Sequence, residues 1–254
     1  MTGFEDLLGR CPSLPSGTRA GLNRWIFRGM LFACGPTAVA LHLLSRDLAW
    51  DFAKASARAL ALATGVEIEV RGLENFPEGP AVVTPNHASH FDIPALLGFL
   101  PGEAHFAAKK ELFDEPILGW VMRTLGMVPV DRENPVHAID DLQEVVGRAG
   151  ATLIVFPEGT RSRDGNLGKF KKGAFRLAIA RGLPVVPIAV HGSKAVMRQG
   201  GYLAIEPGRI VIEILPAFET TGLTADDRHE LTEQVRDAIL RRLLAGGDAR
   251  PAVA

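Results

Sequence analysis

From Val66 onward, short apolar runs alternate with longer stretches of helical periodicity, and this alternation restricts the fold more than any other feature of the chain. The run V-E-I-E-V (66–70) alternates apolar and polar residues as a half-buried strand does. Further strand candidates follow at 81–84, 104–108, 127–130, 152–156, 185–190 and 210–215. Helical patterns fall between most of them, at 93–100, 116–125, 136–148 and 173–181. Strands that alternate with helices imply an α/β domain with a mixed, mostly parallel sheet flanked by helices. A last helix is expected at about 225–245. Asp226 and Asp227 stand at its start and Arg241 and Arg242 at its end, as the helix dipole prefers. The expected organisation is therefore a leader with membrane-associating helices at 1–64, one domain at 65–247 and a disordered tail at 248–254.

The N-terminal third reads differently. Residues 1–20 carry Pro12, Pro15 and Gly17 with little periodicity and read as a loose leader. Four arginines and no acid lie between Arg10 and Arg28, directly ahead of Gly29–Leu44, which has no Lys, Arg, Asp or Glu. As a helix, those residues would span about 24 Å, short of the roughly 30 Å hydrocarbon core, and Pro36 would kink them. The expected arrangement is a segment that dips into or lies on one leaflet, and not a true span. A signal peptide is the rival, because Ala38-Val39-Ala40 mimics a cleavage site, but the long leader argues against it. Residues 48–64 read as a helix with a polar stripe of Asp51, Lys54 and Arg58, either packed on the core or paired with the preceding segment at the membrane. Arginines ahead of an apolar segment favour the anionic cytoplasmic surface, so the expected location is the cytoplasmic face of the cell membrane.

The chain's 28 basic and 29 acidic residues give no global charge to attract nucleic acid. Cys11 and Cys34 form neither a disulfide framework nor a metal spacing. No G-x-S-x-G, Walker loop or G-x-G-x-x-G is present, which weakens hydrolase, NTPase and dinucleotide readings.

Two stretches carry the chemistry: NHASHFD (86–92) and FPEGTRSRDG (156–165). The first lies between an apolar strand candidate and a helical run, with Asp92 placed to begin the helix. On one continuous helix His87 and Asp92 would stand about 140° apart, so a working pair requires the loop to fold His87 back. A carboxylate beside an imidazole fixes its tautomer and steadies the imidazolium, as a general base needs. In the second stretch, Arg161 has the fork geometry that grips phosphate oxygens, and Gly159 admits a close backbone approach. Arg161 to Lys172 is also locally basic, and could take anionic lipid headgroups or a phosphopantetheine-type donor.

NHASHFD resembles the N-H-x-S-x-x-D block of the glycerolipid acyltransferases, the PlsC-like family that includes 1-acylglycerol-3-phosphate acyltransferases. FPEGTR resembles that family's F-P-E-G-T-R block. AKKELFDEPILGW (108–120), running on to PVDR (129–132), and VVPIAVHG (185–192) are similar to two further blocks, all in the family's order. The resemblance implies an O-acyltransferase with His87 and Asp92 as the catalytic pair. It also implies that Lys109, Arg132, Glu158, Gly159, Thr160 and Arg161 bind substrate. Glu158 is expected to hold Arg161 or a neighbouring amide and not phosphate itself, and Ser89 to have a structural role. No cofactor or metal is expected. The implied donor is acyl-CoA or acyl carrier protein, and the acceptor a lysophospholipid at a membrane surface, 1-acyl-sn-glycerol-3-phosphate by default. Acylation of another lyso-lipid is the alternative. A catalytically silent membrane-binding module is a reading from another class, against which the intact His87/Asp92 pair argues. His90 and His191 suggest a metallohydrolase, but the H-x-H-x-D spacing is not met.

Overall fold

The computed structural model describes residues 16–131, 152–162, 165–197 and 204–246. Two helices come first, α1 (Ser16–His42) and α2 (Arg46–Thr64), followed by strand β1 (Val66–Arg71). Next come β2 (Val82–Pro85), α3 (Asp92–Phe99), β3 (Ala104–Lys109), α4 (Pro116–Thr124) and β4 (Val128–Val130). After them follow β5 (Thr152–Ile154), α5 (Gly173–Arg181), β6 (Val185–His191), the single turn α6 (Ser193–Val196), β7 (Gly208–Ile214) and α7 (Arg228–Ala245). The expected helix at 136–148 and the tail from 248 lie outside the described residues.

The seven strands form one sheet in the order β1-β7-β6-β2-β5-β3-β4. Strands β6, β2, β5, β3 and β4 run parallel, and β7 meets β6 antiparallel and carries β1 beside it. The mixed, mostly parallel sheet is therefore as the alternation implies. Its strands are apolar on successive residues because both faces are covered. Val83, Ile154 and Val186 enter one core layer with Phe91 and Leu96. Their neighbours Val82, Leu153 and Val185 enter the opposite layer with Phe175, Leu177, Val235 and Ile239 of α5 and α7. One step along a strand turns the side chain to the other face, so a single V-V or L-I pair feeds both layers.

Helix α1 departs from the expectation at its start, and α2 takes up the core-packed reading of its sequence. Helix α1 starts at Ser16, so residues 16–20 are helical and not a loose leader, and it continues through Pro36. Helix α2 belongs to the core: Trp50, Ala53, Ala57, Leu60 and Ala61 are buried. Two residues of its polar stripe anchor it to the α3–β3 region, with Lys54 Nζ donating to the Gly102 carbonyl at 2.9 Å and Arg58 Nε to that of Gly98 at 2.7 Å. Propensity and period do not reveal such anchoring, because the acceptors are carbonyls some 40 residues away. Helix α1 is tied down by Asn23, whose buried amide donates to the carbonyls of Thr64 and Ile205. Gly35 lets it approach α4, since a Cβ there would stand 2.9 Å from a Val121 methyl. Among the described residues no helix is long and apolar enough to cross a membrane. At the other end, α7 starts at Arg228, because Asp227 first closes a turn by accepting from the amide and hydroxyl of Thr224.

The parallel strands all end toward one edge of the sheet. NHASHFD follows β2, FPEGTR follows β5, Lys109 closes β3 and His191 closes β6. In open α/β sheets ligands bind outside the carboxyl ends of the strands, and all four stretches meet there.

Candidate active site

Asn86 anchors the loop that leaves β2. Its side-chain oxygen accepts from the Val190 amide at 2.7 Å and its amide donates to the Val190 carbonyl at 3.1 Å, extending the β2–β6 ladder by a side chain. The loop then turns His87 back onto the start of α3, as the five-residue spacing demands. The His87 Nδ1 lies 2.8 Å from Asp92 Oδ2. That same oxygen accepts from the backbone amides of Ala88 at 2.9 Å and Ser89 at 2.8 Å. Asp92 is fully buried and stands in the first turn of α3, where the helix dipole favours an anion. An acceptor-only carboxylate facing Nδ1 assigns the proton to that nitrogen and leaves Nε2 with its lone pair free. Ser89 is structural: its hydroxyl donates to the Met197 carbonyl at 3.0 Å and accepts from the Phe91 amide.

The second stretch braces the first. The Phe156 ring stacks on His87 with centroids 3.9 Å apart and planes 19° apart. Glu158 uses both carboxylate oxygens on backbone: Oε1 accepts from the His87 amide at 2.7 Å and Oε2 from the Gly168 amide at 2.9 Å. Burial pushes its pKa up, and these two bonds oppose that rise. The amide of Ser162 donates to the His87 carbonyl at 2.8 Å. Residues 158–162 thus hold His87 by both its backbone groups. Glu158, grouped in the sequence with the substrate-binding residues, is a brace on a neighbouring amide.

Gly159 has φ of 72°, and a Cβ there would lie 2.9 Å from the Lys171 side chain. Thr160 is exposed and Arg161 half-buried. Lost hydration lowers the pKa of His90 although its ring is largely open to solvent, and the charges of Arg161 and His87 add to the shift. The charge of Arg161 is thus felt at His90, inside the loop that carries His87 and Asp92. Lys109 lies 3.4 Å from Glu111 and lines a groove of about 630 Å³ together with Phe156, Gly159, Lys171, Lys172 and Arg176. Arg132 lies outside the described residues. His191 turns to Glu213 on β7, 3.4 Å away, and does not join His90. Among the described residues no three His, Cys, Asp or Glu side chains converge on a point that would hold a metal ion.

A separate apolar cavity of about 210 Å³ lies among α1, α2, α3 and α4. Its walls include Met30, Ala57, Leu97 and Leu125, together with Ile93 and Pro94, which follow Asp92 directly. Sequence reasoning missed Phe156 as the ring under His87, Asn86 as the anchor and Lys171 as the cover of Gly159. The first two lie inside the quoted blocks, but their partners are in other strands and no local pattern names them.

Residues 67–191 match the family model described as Acyltransferase. The chain is 38% identical over 161 residues to a 1-acyl-sn-glycerol-3-phosphate acyltransferase of Pseudomonas aeruginosa, covering 62% of each protein. It is 40% identical over 151 residues to the chloroplastic 1-acyl-sn-glycerol-3-phosphate acyltransferase BAT2 of Brassica napus, covering 58% of this chain and 43% of that one. The chain thus spans under half the length of that plant relative. Among solved structures, the 1-acyl-sn-glycerophosphate acyltransferase PlsC of Thermotoga maritima superposes with a TM-score of 0.77 at 27% identity, over 92% of this chain and 96% of that one.

Proposed function

We propose, from the match of residues 67–191 to the acyltransferase family model, that the chain is a member of that family and moves a fatty acyl chain from a thioester donor to the free hydroxyl of 1-acyl-sn-glycerol-3-phosphate, giving phosphatidic acid. The single observation that carries this reading is the His87–Asp92 pair, with Asp92 Oδ2 shared by Nδ1 and two backbone amides. His87 Nε2 takes the proton of the acceptor hydroxyl as its oxygen attacks the thioester carbon. Asp92, held in place by Ala88 and Ser89, stabilises the imidazolium that forms. Collapse of the tetrahedral intermediate breaks the carbon–sulfur bond, and His87 returns the proton to the departing thiolate. No acyl-enzyme is needed, consistent with Ser89 being engaged in the backbone network.

Arg161 and Lys109 hold the acceptor's phosphate, Arg161 by its bidentate fork and Lys109 as a point charge. The apolar cavity that starts at Ile93 and Pro94 takes an acyl tail, since burying it there keeps its methylenes from water at about 0.8 kcal/mol each. The protein rests on the cytoplasmic leaflet through the corner between α1 and α2. Leu43 and Leu44 stand there 82% and 80% exposed, and Trp25 of α1 is 65% exposed.

The test is thiol release from hexadecanoyl-CoA and hexadecanoyl-acyl carrier protein against a panel of lyso-lipids with and without a phosphomonoester. Turnover should be fastest with 1-acyl-sn-glycerol-3-phosphate and should fall by at least roughly two orders of magnitude in His87→Ala. Equal rates on acceptors lacking the phosphate, or a folded His87→Ala protein with wild-type turnover, would refute the reading.

A further inference from the structure

A cavity of about 630 Å³, within the usual range for small-molecule sites, lies where the ends of α1 and α4 and the start of α2 meet β3 and β4. None of the residues assigned to acyl transfer lines it. Its place is set by the corner that carries Leu43 and Leu44, since His42 stands directly before that corner and Arg46 just after it. A leaflet that receives the two leucines brings its headgroups to this cavity, because headgroups lie directly outside the hydrocarbon. The lining carries charges of both signs. Arg46 is held by Glu103, and Lys110 by Asp131 at 2.7 Å. Among the described residues Arg123 and Asp114 have no ion-pair partner, and Arg123 lies over the Phe113 ring at 5.8 Å. Opposite charges that share a cavity without closing on each other leave room for a ligand that bears both signs. One wall is short of donors. His105 is 3% exposed, and its Nδ1 donates to the Gly126 carbonyl at 2.9 Å. Its Nε2 is thereby left as an acceptor, buried with no hydrogen-bond partner. Glu103 Oε2, 3.4 Å from that nitrogen, is an acceptor as well. His42 and Thr124 are the last residues of α1 and α4, so two helix carbonyl ends add partial negative charge. Trp50, whose ring meets that of His105 with centroids 5.1 Å apart, adds an aromatic surface that suits a cation.

We propose that this cavity binds the phosphoethanolamine headgroup of a membrane phospholipid, with the ammonium on Asp114 and the His105 wall and the phosphate on Arg123. A primary ammonium is selected over a quaternary one because it donates the hydrogen bonds that this wall lacks. The order of charges suits a lipid, whose phosphate lies nearer its tails than the amine does. A headgroup held there pins the α1–α2 corner and fixes how the enzyme sits on the leaflet that supplies its acceptor. The inference goes beyond acyl transfer and rests on the proposed function only for the seat of Leu43 and Leu44 in the leaflet.

The experiment compares the full chain with Asp114→Asn and Arg123→Gln, whose side chains are exposed and whose folding is checked by thermal melting. Flotation uses phosphatidylglycerol vesicles that contain an equal share of either phosphatidylethanolamine or phosphatidylcholine. Calorimetric titration uses the soluble headgroups glycerophosphoethanolamine and glycerophosphocholine. The wild-type chain should bind the ethanolamine vesicles roughly tenfold more tightly than the choline vesicles, the effect of one charge-assisted contact. Asp114→Asn should erase that preference and leave binding to choline vesicles at its wild-type value. Arg123→Gln should weaken binding to both, because the phosphate is common to them. Equal wild-type binding to the two vesicles, or a preference that survives Asp114→Asn, would overturn the proposal. So would weaker binding in Arg123→Gln without any wild-type preference, which would make the cavity a site for phosphate alone. A soluble headgroup that binds while the vesicles show no preference would make the occupant a free amine and not a lipid. None of these measurements passes through acyl transfer, so an inactive protein that still prefers ethanolamine keeps the cavity assignment and loses only the enzymatic reading. Likewise, headgroup binding that Asp114→Asn abolishes, with unchanged flotation in Leu43→Ser with Leu44→Ser, keeps the cavity and rejects the corner as the membrane contact.

Discussion

Replacing Asp92 with Asn separates the charge of the catalytic pair from its geometry. Asp92 Oδ2 accepts three donors at once: His87 Nδ1 at 2.8 Å, the Ala88 amide at 2.9 Å and the Ser89 amide at 2.8 Å. The other oxygen, Oδ1, is buried with no hydrogen-bond partner in the protein. An Asn side chain can place either its oxygen or its NH2 against the three donors. Three N–H groups facing an NH2 would forfeit every bond, so the oxygen takes the Oδ2 position. His87 therefore keeps its Nδ1–H tautomer, and the two backbone amides enforce this. Sequence pairing alone points to a wrong tautomer in Asp92→Asn; the Ala88 and Ser89 amides remove that expectation.

What the Asn variant loses is the negative charge opposite the imidazolium. The loss of a charge-assisted bond is about 1.5–3 kcal/mol, or roughly ten- to 150-fold in kcat/KM. Asp92→Ala should lose more, because it frees the ring and strips both amides of their acceptor. The assay is thiol release with purified protein in mixed micelles, on variants whose melting temperatures verify folding. An Asn variant as active as wild type would show that the charge contributes nothing. An Asn variant as inactive as His87→Ala would show that the amides do not govern the tautomer.

Glu158→Gln leaves one of the His87 and Gly168 amides facing an NH2 in a partly buried site, and should cost about 1–3 kcal/mol in urea unfolding; a variant as stable as wild type would disprove the bracing role. Burial depresses the pKa of His191 against the opposing pull of Glu213, so the folded chain takes up this proton at a lower pH than the unfolded chain, which binds it below about pH 6.5. Its contribution to stability is thus present above that pH and lost as pH falls, and His191→Asn should flatten the slope of unfolding free energy between about pH 5 and 7, read by denaturant titration at each pH. Leu43→Ser with Leu44→Ser should shift the protein off anionic vesicles in a flotation assay, and unchanged binding would exclude this corner as the contact. Deleting residues 1–64 is a poor test of attachment, because it would also strip Trp50, Leu60 and Ala61 from the core.

The local half of this protein is written in its sequence. Alternation of apolar runs and helical periods declares the α/β sheet, since those periods reflect burial of one side or both. NHASHFD holds His87, Asp92 and the two amides that serve Asp92 within seven residues, so the catalytic pair is legible without a fold. The rest depends on which strands become neighbours, and no period encodes that. Glu158 meets the His87 amide across 71 residues and Asn86 meets Val190 across 104, because β5 and β6 happen to flank β2. The polar stripe of α2 looks the same in sequence whether it faces water, a membrane or the carbonyls of Gly98 and Gly102. Likewise the cations of the groove, scattered from Lys109 to Arg228, form one field only because the parallel strands end on the same edge. Charge carries no information about distance until the chain has closed on itself, and that closure decided the brace under His87 and the groove beside it.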